Sequence, residues 1–190
     1  MATVALFGGS FNPPHVAHHM LAVYALATCD LDEVWFVPTF RHAFGKGLAS
    51  YDDRVAMCEI VTAEIGPRAR VSRAEQTLAA APGFVVSRTL DLIEHLQAEH
   101  PEHRFRLLIG ADILLETDKW YRWDDVARQA PPIVIGRAEV VVPPLATVSE
   151  YSMPGISSTE VRRRLQAQEP VNWLVPRGVL GYIADKGLYR

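Results

Sequence analysis

The chain has 190 residues, 49% of them hydrophobic, with 19 Lys and Arg against 22 Asp and Glu for a formal charge of −3. That length supports one full core, so a single domain over 1–190 is expected, and the acidic balance speaks against a general nucleic-acid binder, which needs a cationic excess. No apolar run approaches the ~18 residues that span a bilayer, and no basic leader precedes the first strand, so a soluble cytoplasmic protein without a membrane partner is expected.

Short runs rich in Val, Ile, Leu, Phe and Trp alternate with longer stretches of helical spacing, which predicts parallel strands joined by crossover helices. Val4–Phe7 is the first predicted strand and His15 to about Thr28 the first helix. Glu33–Pro38 follows as a strand, then a glycine-containing loop, Thr39–Ser50, that carries Arg41, His42 and Lys46. Ser50 with Asp53 resembles a capping box, opening a helix to about Ile65. Ala69–Arg73 reads as a third strand, and Val85 to about Glu99 as a helix with Val86, Leu90, Ile93 and Leu96 on one side. Phe105–Ile109 is apolar enough for a central strand buried on both faces. Pro132–Ile135 gives a fifth strand and Val140–Val142 a short sixth. A helix starts within Ile156–Leu165, with Val161 and Leu165 toward the core, and a last one runs from about Val179 to Lys186, stopped by Gly187. Cys29 and Cys58 fall in predicted helices without CxxC spacing and read as free thiols of a reducing compartment.

Three stretches carry chemistry. Val4–His18 is a strand, a loop with two glycines and two prolines, and a helix start bearing His15 and His18. Gly8 and Gly9 let a phosphate approach the backbone, the helix start offers free N–H groups and a positive dipole end, and the two histidines share one face. Ile156–Arg164 places the hydroxyls of Ser157, Ser158 and Thr159 at another helix start with Arg162 one turn on, an anion cradle, leaving Arg163 and Arg164 for the flank. Gly110-Ala111-Asp112 ends the most apolar strand with a carboxylate suited to sugar hydroxyls, and Trp120, Tyr121 and Trp123 follow, where an aromatic ring can stack on a heteroaromatic one.

Other machineries are missing. Gly45-Lys46 lacks the rest of a P-loop, no G-x-G-x-x-G follows the first strand, and no G-x-S-x-G marks a serine hydrolase. His100-Pro101-Glu102-His103 is interrupted by proline in a polar stretch and does not read as a metal site.

Gly8-Gly9-Ser10-Phe11-Asn12-Pro13-Pro14-His15-Val16-Ala17-His18 resembles the GG-x-F-[DN]-P-x-H-x-G-H element of the nucleotidyltransferases, and Ile156-Ser157-Ser158-Thr159-Glu160-Val161-Arg162 resembles their I-S-S-T-x-[IV]-R element, about 140 residues later. Gly110-Ala111-Asp112 with Trp120, and the ending through Val175-Pro176, Tyr182-Ile183 and Gly187-Leu188-Tyr189, narrow the likeness to the nicotinate (nicotinamide) mononucleotide adenylyltransferases over nearly the whole chain. The resemblance implies a Rossmann-like open parallel sheet of five to six strands with helices on both faces, the part from about 156 to 190 completing the ATP phosphate site. It implies an enzyme of NAD biosynthesis that joins ATP to a pyridine mononucleotide and releases pyrophosphate. His15 and His18 are then assigned to the α and β phosphates and Ser158 and Arg162 to the β and γ phosphates, joined by Lys46. Gly8, Gly9, Ser10, Phe11, Ile156, Ser157 and Thr159 complete the ATP site. Gly110 and Asp112 contact a ribose, Trp120 stacks on the pyridine ring, and Tyr121 lies beside it. Mg²⁺ is carried chiefly by ATP oxygens, with no metal held by the protein itself. Ala17 stands where the family motif has glycine, and Arg41–Ser50 lacks the Pro-Pro-His run associated with many nicotinate-specific members.

Rival readings keep the same ATP site: an adenylyltransferase with another acceptor, such as phosphopantetheine or a sugar phosphate, or a non-catalytic nucleotide-binding regulator, whose mark would be a lost histidine. A tRNA-charging fragment would need an RNA-binding module for which the chain has no room. Oligomeric state stays open, a homo-oligomer included.

Overall fold

The computed structural model describes residues 1–41, 48–136, 146–149 and 153–190. β1 (Thr3–Gly9), β2 (Glu33–Pro38), β3 (Ala69–Val71), β4 (Arg104–Gly110), β5 (Pro132–Ile135) and β6 (Thr147–Ser149) form one sheet in the order β3-β2-β1-β4-β5-β6. Every pairing is parallel. The strand order reverses at β1, so the carboxyl ends of β1 and β4 flank the crevice where such sheets bind ligands.

Alternation along each strand divides the interior into two cores. Ala5 and Phe7 of β1, Val34 and Phe36 of β2, and Ile133 and Ile135 of β5 face one side, against α1 (Val16–Thr28), α2 (Tyr51–Ile65), α6 (Ser158–Gln166) and α7 (Arg177–Lys186). Val4, Leu6, Trp35, Val37, Leu107 and Val134 face the other, covered by α3 (Ala74–Ala79), α4 (Thr89–Glu99) and α5 (Trp123–Gln129). Both sheet faces are thus buried, which is why the strands read as continuous apolar runs. Val161, Val179 and Ile183 belong to the first core, so the C-terminal helices are packed onto the sheet and not appended to it.

Local signals explain the helix ends. The Ser50 hydroxyl accepts the Asp53 N–H at 3.0 Å and caps α2, with Asp52 and Asp53 in its first turn, and Gly187 ends α7 in the left-handed conformation at φ 63°. Several expectations are corrected. The third strand stops at Val71, because Arg73 caps α3. The helix expected from Val85 starts at Thr89: Pro82-Gly83 begins a turn, and Val85 is 81% exposed. Ala111–Lys119, unforeseen, is a 3-10 segment, and Cys29 follows α1 as its cap instead of lying within it. Val140–Val142 lies outside the described residues; the sixth strand found is Thr147–Ser149. No helix among the described residues is long and apolar enough to cross a membrane.

Candidate active site

At the carboxyl end of β1 the backbone turns into α1 through Ser10–His15. A Cβ on Gly8 would meet nothing within 4 Å, so the missing side chain leaves open space in the cleft, whereas one on Gly9 would press on the Phe11 ring at 3.2 Å. The two glycines therefore serve different ends, one ligand access and the other packing. Phe11 is buried beneath the cleft and does not line it; its ring meets His18 edge-on with centroids 5.0 Å apart and lies 5.4 Å from Phe7. Its ring forms the floor on which His18 rests, so any contact of Phe11 with ATP falls to its main chain in the loop.

The imidazoles of His15 and His18 stack at 3.6 Å, and the His15 backbone N–H donates to His18 Nδ1 at 3.1 Å. An accepting Nδ1 fixes the proton of neutral His18 on Nε2, which becomes a donor toward the cleft. Burial lowers the His15 pKa to about 4, and burial followed by the nearness of His15 holds His18 well below its ordinary value. Both rings are neutral donors in the free protein at pH 7. A histidine with a depressed folded-state pKa gives its full stability above about 6.5 and loses it as pH falls toward 4, because the unfolded chain takes up the proton first. His15→Gln should flatten the pH dependence of urea stability across that window by roughly 2–4 kcal/mol; an unchanged slope would contradict the burial of a neutral His15.

The second wall comes from the start of α6. Ser157 caps it, its hydroxyl accepting the Glu160 N–H at 3.2 Å. Arg163 and Arg164 turn outward to Glu160, at 2.8 and 2.7 Å, while Arg162 turns inward. Its Nη1 donates to the Asn12 carbonyl at 2.7 Å, and the Ser158 hydroxyl donates to the Pro13 carbonyl at 2.9 Å. Two side chains of the C-terminal nest are therefore bonded to the loop that leads into His15.

The cleft holds about 990 Å³, at the upper end of small-molecule sites. Gly8, Gly9, Ser10, His15, His18, Gly110, Asp112 and Trp120 line it with Ile156, Ser157, Ser158, Thr159 and Arg162. A Cβ on Gly110 would come within 2.5 Å of Asp112 Oδ1, so the glycine lets that carboxylate fold back over the strand end. Trp120 is braced edge-on by Trp123, centroids 5.4 Å apart. The Tyr121 side chain is not in the lining; it is 48% exposed with the Arg88 guanidinium 4.2 Å from its ring centroid. Lys46 lies outside the described residues.

Sequence reasoning missed several participants. Leu48, Ile135, Gly136 and Met153 also line the cleft; the first closes the β2–α2 loop, and the next two end the strand beside β4, positions that an open sheet turns toward its ligand. Arg54, only 2% exposed, donates to three carbonyls, those of Ser10 at 2.8 Å, Thr39 at 2.8 Å and Ala49 at 3.3 Å. Its signal was present: it shares the i, i+4, i+7 stripe of buried Cys58 and Val61. At the other end of β4, Glu102 lies 3.8 Å from His100 Nδ1 and 3.3 Å from His103 Nε2. The shared carboxylate accounts for both rings, and the buried His103 Nδ1 lacks the outer partner that a metal-bound imidazole normally has.

Residues 6–164 match the family described as cytidylyltransferase-like, the class to which this sheet and cleft conform. A probable nicotinate-nucleotide adenylyltransferase of Anaeromyxobacter sp. (strain K) is 52% identical over 98% of this chain and 96% of its own length. The Myxococcus xanthus protein of the same description is 40% identical over 98% and 94%. The chain belongs to the nicotinate-nucleotide adenylyltransferase family. In fold it is similar to the Plasmodium falciparum nicotinic acid mononucleotide adenylyltransferase complexed with NaAD, at a TM-score of 0.81 and 20% identity over 100% of this chain and 98% of that one.

Proposed function

We propose that the chain transfers the adenylyl group of ATP to nicotinate mononucleotide, forming deamido-NAD and pyrophosphate in NAD biosynthesis. The observation that carries the assignment of roles is that Arg162 and Ser158 are bonded to the Asn12–Pro13 segment leading to His15, so both walls face one polyphosphate-sized space. The attacking atom is a phosphate oxygen of the mononucleotide, already anionic at neutral pH. It forms a bond to the α-phosphorus as the bond to the bridging oxygen of the β-phosphate breaks, and the electron pair leaves with pyrophosphate. No general base is needed. What is left to the protein is alignment of the attacking and leaving oxygens and stabilisation of charge on the group in transit.

His15 and His18 donate to the α and β phosphates, and Ser158 and Arg162 hold the β and γ phosphates with Lys46. Gly110 and Asp112 take a ribose, and Trp120 stacks on the pyridine ring. Among the described lining residues Asp112 is the sole carboxylate, a donor set that fits Mg²⁺ arriving on ATP better than a dedicated cage. The metal would supply charge neutralisation on the triphosphate. The names of the relatives favour the acid over the amide acceptor. Pyrophosphate release with each mononucleotide tests this: kcat/KM is expected to be higher for nicotinate mononucleotide, and preference for the amide, or for phosphopantetheine, would overturn the acceptor assignment.

A further inference from the structure

We infer that Tyr189, next to last in the chain, is a positioning residue for adenylyl transfer, acting through Asn12 on the loop that carries His15 and His18; this rests on the function proposed above. The Tyr189 hydroxyl donates to Asn12 Oδ1 at 2.7 Å, and the Ala49 N–H donates to the same oxygen at 2.9 Å. Two donors fill both lone pairs of an amide oxygen and fix which way the amide faces. Asn12 is fully buried, and its main-chain carbonyl is the acceptor for Arg162. One residue thus connects the chain's end, the start of α2, the cationic wall and the histidine loop.

The backbone near the end of the chain points the same way. After Gly187 the Leu188 N–H bonds back to the Ile183 carbonyl at 3.0 Å, and Tyr189 itself adopts φ 62°. A residue with a Cβ avoids that left-handed conformation unless its surroundings over-determine it, and such strain gathers where placement matters. Here Leu188 packs against the first core on one side and the Asn12 bond holds the ring on the other. Burial pushes the Tyr189 hydroxyl above its ordinary pKa, which keeps it a donor across the neutral range.

The test is Tyr189→Phe, which keeps the ring and removes only the bond to Asn12. The melting temperature should change little, while kcat for pyrophosphate release falls about tenfold and KM for the mononucleotide stays unchanged, the pattern of a misplaced transition-state donor. Hydrogen exchange at the Ala49 amide should quicken, and the imidazole ¹⁵N signals of His15 and His18 should move. A kcat within about twofold of the parent, or parallel losses in both substrates' KM tracking a lowered melting temperature, would overturn the inference. Unchanged exchange and imidazole signals would overturn it independently of turnover. If the parent protein makes no pyrophosphate, the adenylyl-transfer reading fails, whereas the exchange and imidazole measurements still judge the link from Tyr189 to the loop.

Discussion

His18→Ala lowers kcat for pyrophosphate release by about 10²-fold or more, the scale for removing one donor that acts on the transition state. The expectation follows from the tautomer: Nδ1 accepts the His15 N–H, so Nε2 carries the proton, and burial keeps the ring neutral before the substrate arrives. A donor already aimed loses little to reorganisation when charge builds on the α-phosphate. Alanine cannot supply it, and a water admitted in its place is not held in a fixed orientation. KM for ATP should rise less than kcat falls. Because the ring rests on Phe11 and Phe7, far-UV circular dichroism and thermal melting must accompany the kinetics. A folded variant with unchanged kcat removes His18 from the mechanism.

Arg54→Met costs about 3 kcal/mol of folding free energy, through three part-buried carbonyls left without a charged donor. Against a total of roughly 5–15 kcal/mol for a domain, that is a large share. The guanidinium gathers Ser10, Thr39 and Ala49, which belong to the loops after β1 and β2 and the approach to α2. Methionine fills much of the volume without donating. Urea denaturation should show a lower midpoint with an unchanged slope, and ATP affinity should weaken because the loop around Ser10 loses its tie. A loss under about 1 kcal/mol would mean that solvent reaches those carbonyls and Arg54 is dispensable.

Much of the sheet could be read from local pattern, because a strand buried on both faces must be apolar at consecutive positions. β2 and β5 are found at the residues expected, and Phe105–Ile109 forms the body of β4. The short elements were less legible. Val85 and Val86 extend an apparent helical pattern toward Leu90, but the Pro82-Gly83 turn and the exposure of Val85 show that chain direction, not hydrophobicity, sets the boundary. Leu114 is the single buried residue in the 3-10 segment, too sparse a signal to find from spacing.

The two walls of the cleft were legible for a similar reason, since each is written in adjacent residues: the histidines three apart after a Gly-Gly turn, and the Ser-Ser-Thr run with Arg162 one turn on. Their connections were not. Arg54 to Ser10 spans 44 positions and Tyr189 to Asn12 spans 177, and no periodicity encodes a hydrogen bond between distant segments. The rings of Phe11 and Tyr121 lie outside the cleft lining for a related reason: proximity in sequence to a binding motif does not say which side of the backbone a ring takes.

A double-variant cycle on His18 and Arg162, read by ATP- and nicotinate-mononucleotide-dependent pyrophosphate release, tests the joint action of the two walls most directly. Groups that grip one triphosphate act as a unit, so His18→Ala with Arg162→Ala should be only about threefold slower than the worse single variant. Losses that multiply in full, or a parent protein that releases no pyrophosphate, would contradict it.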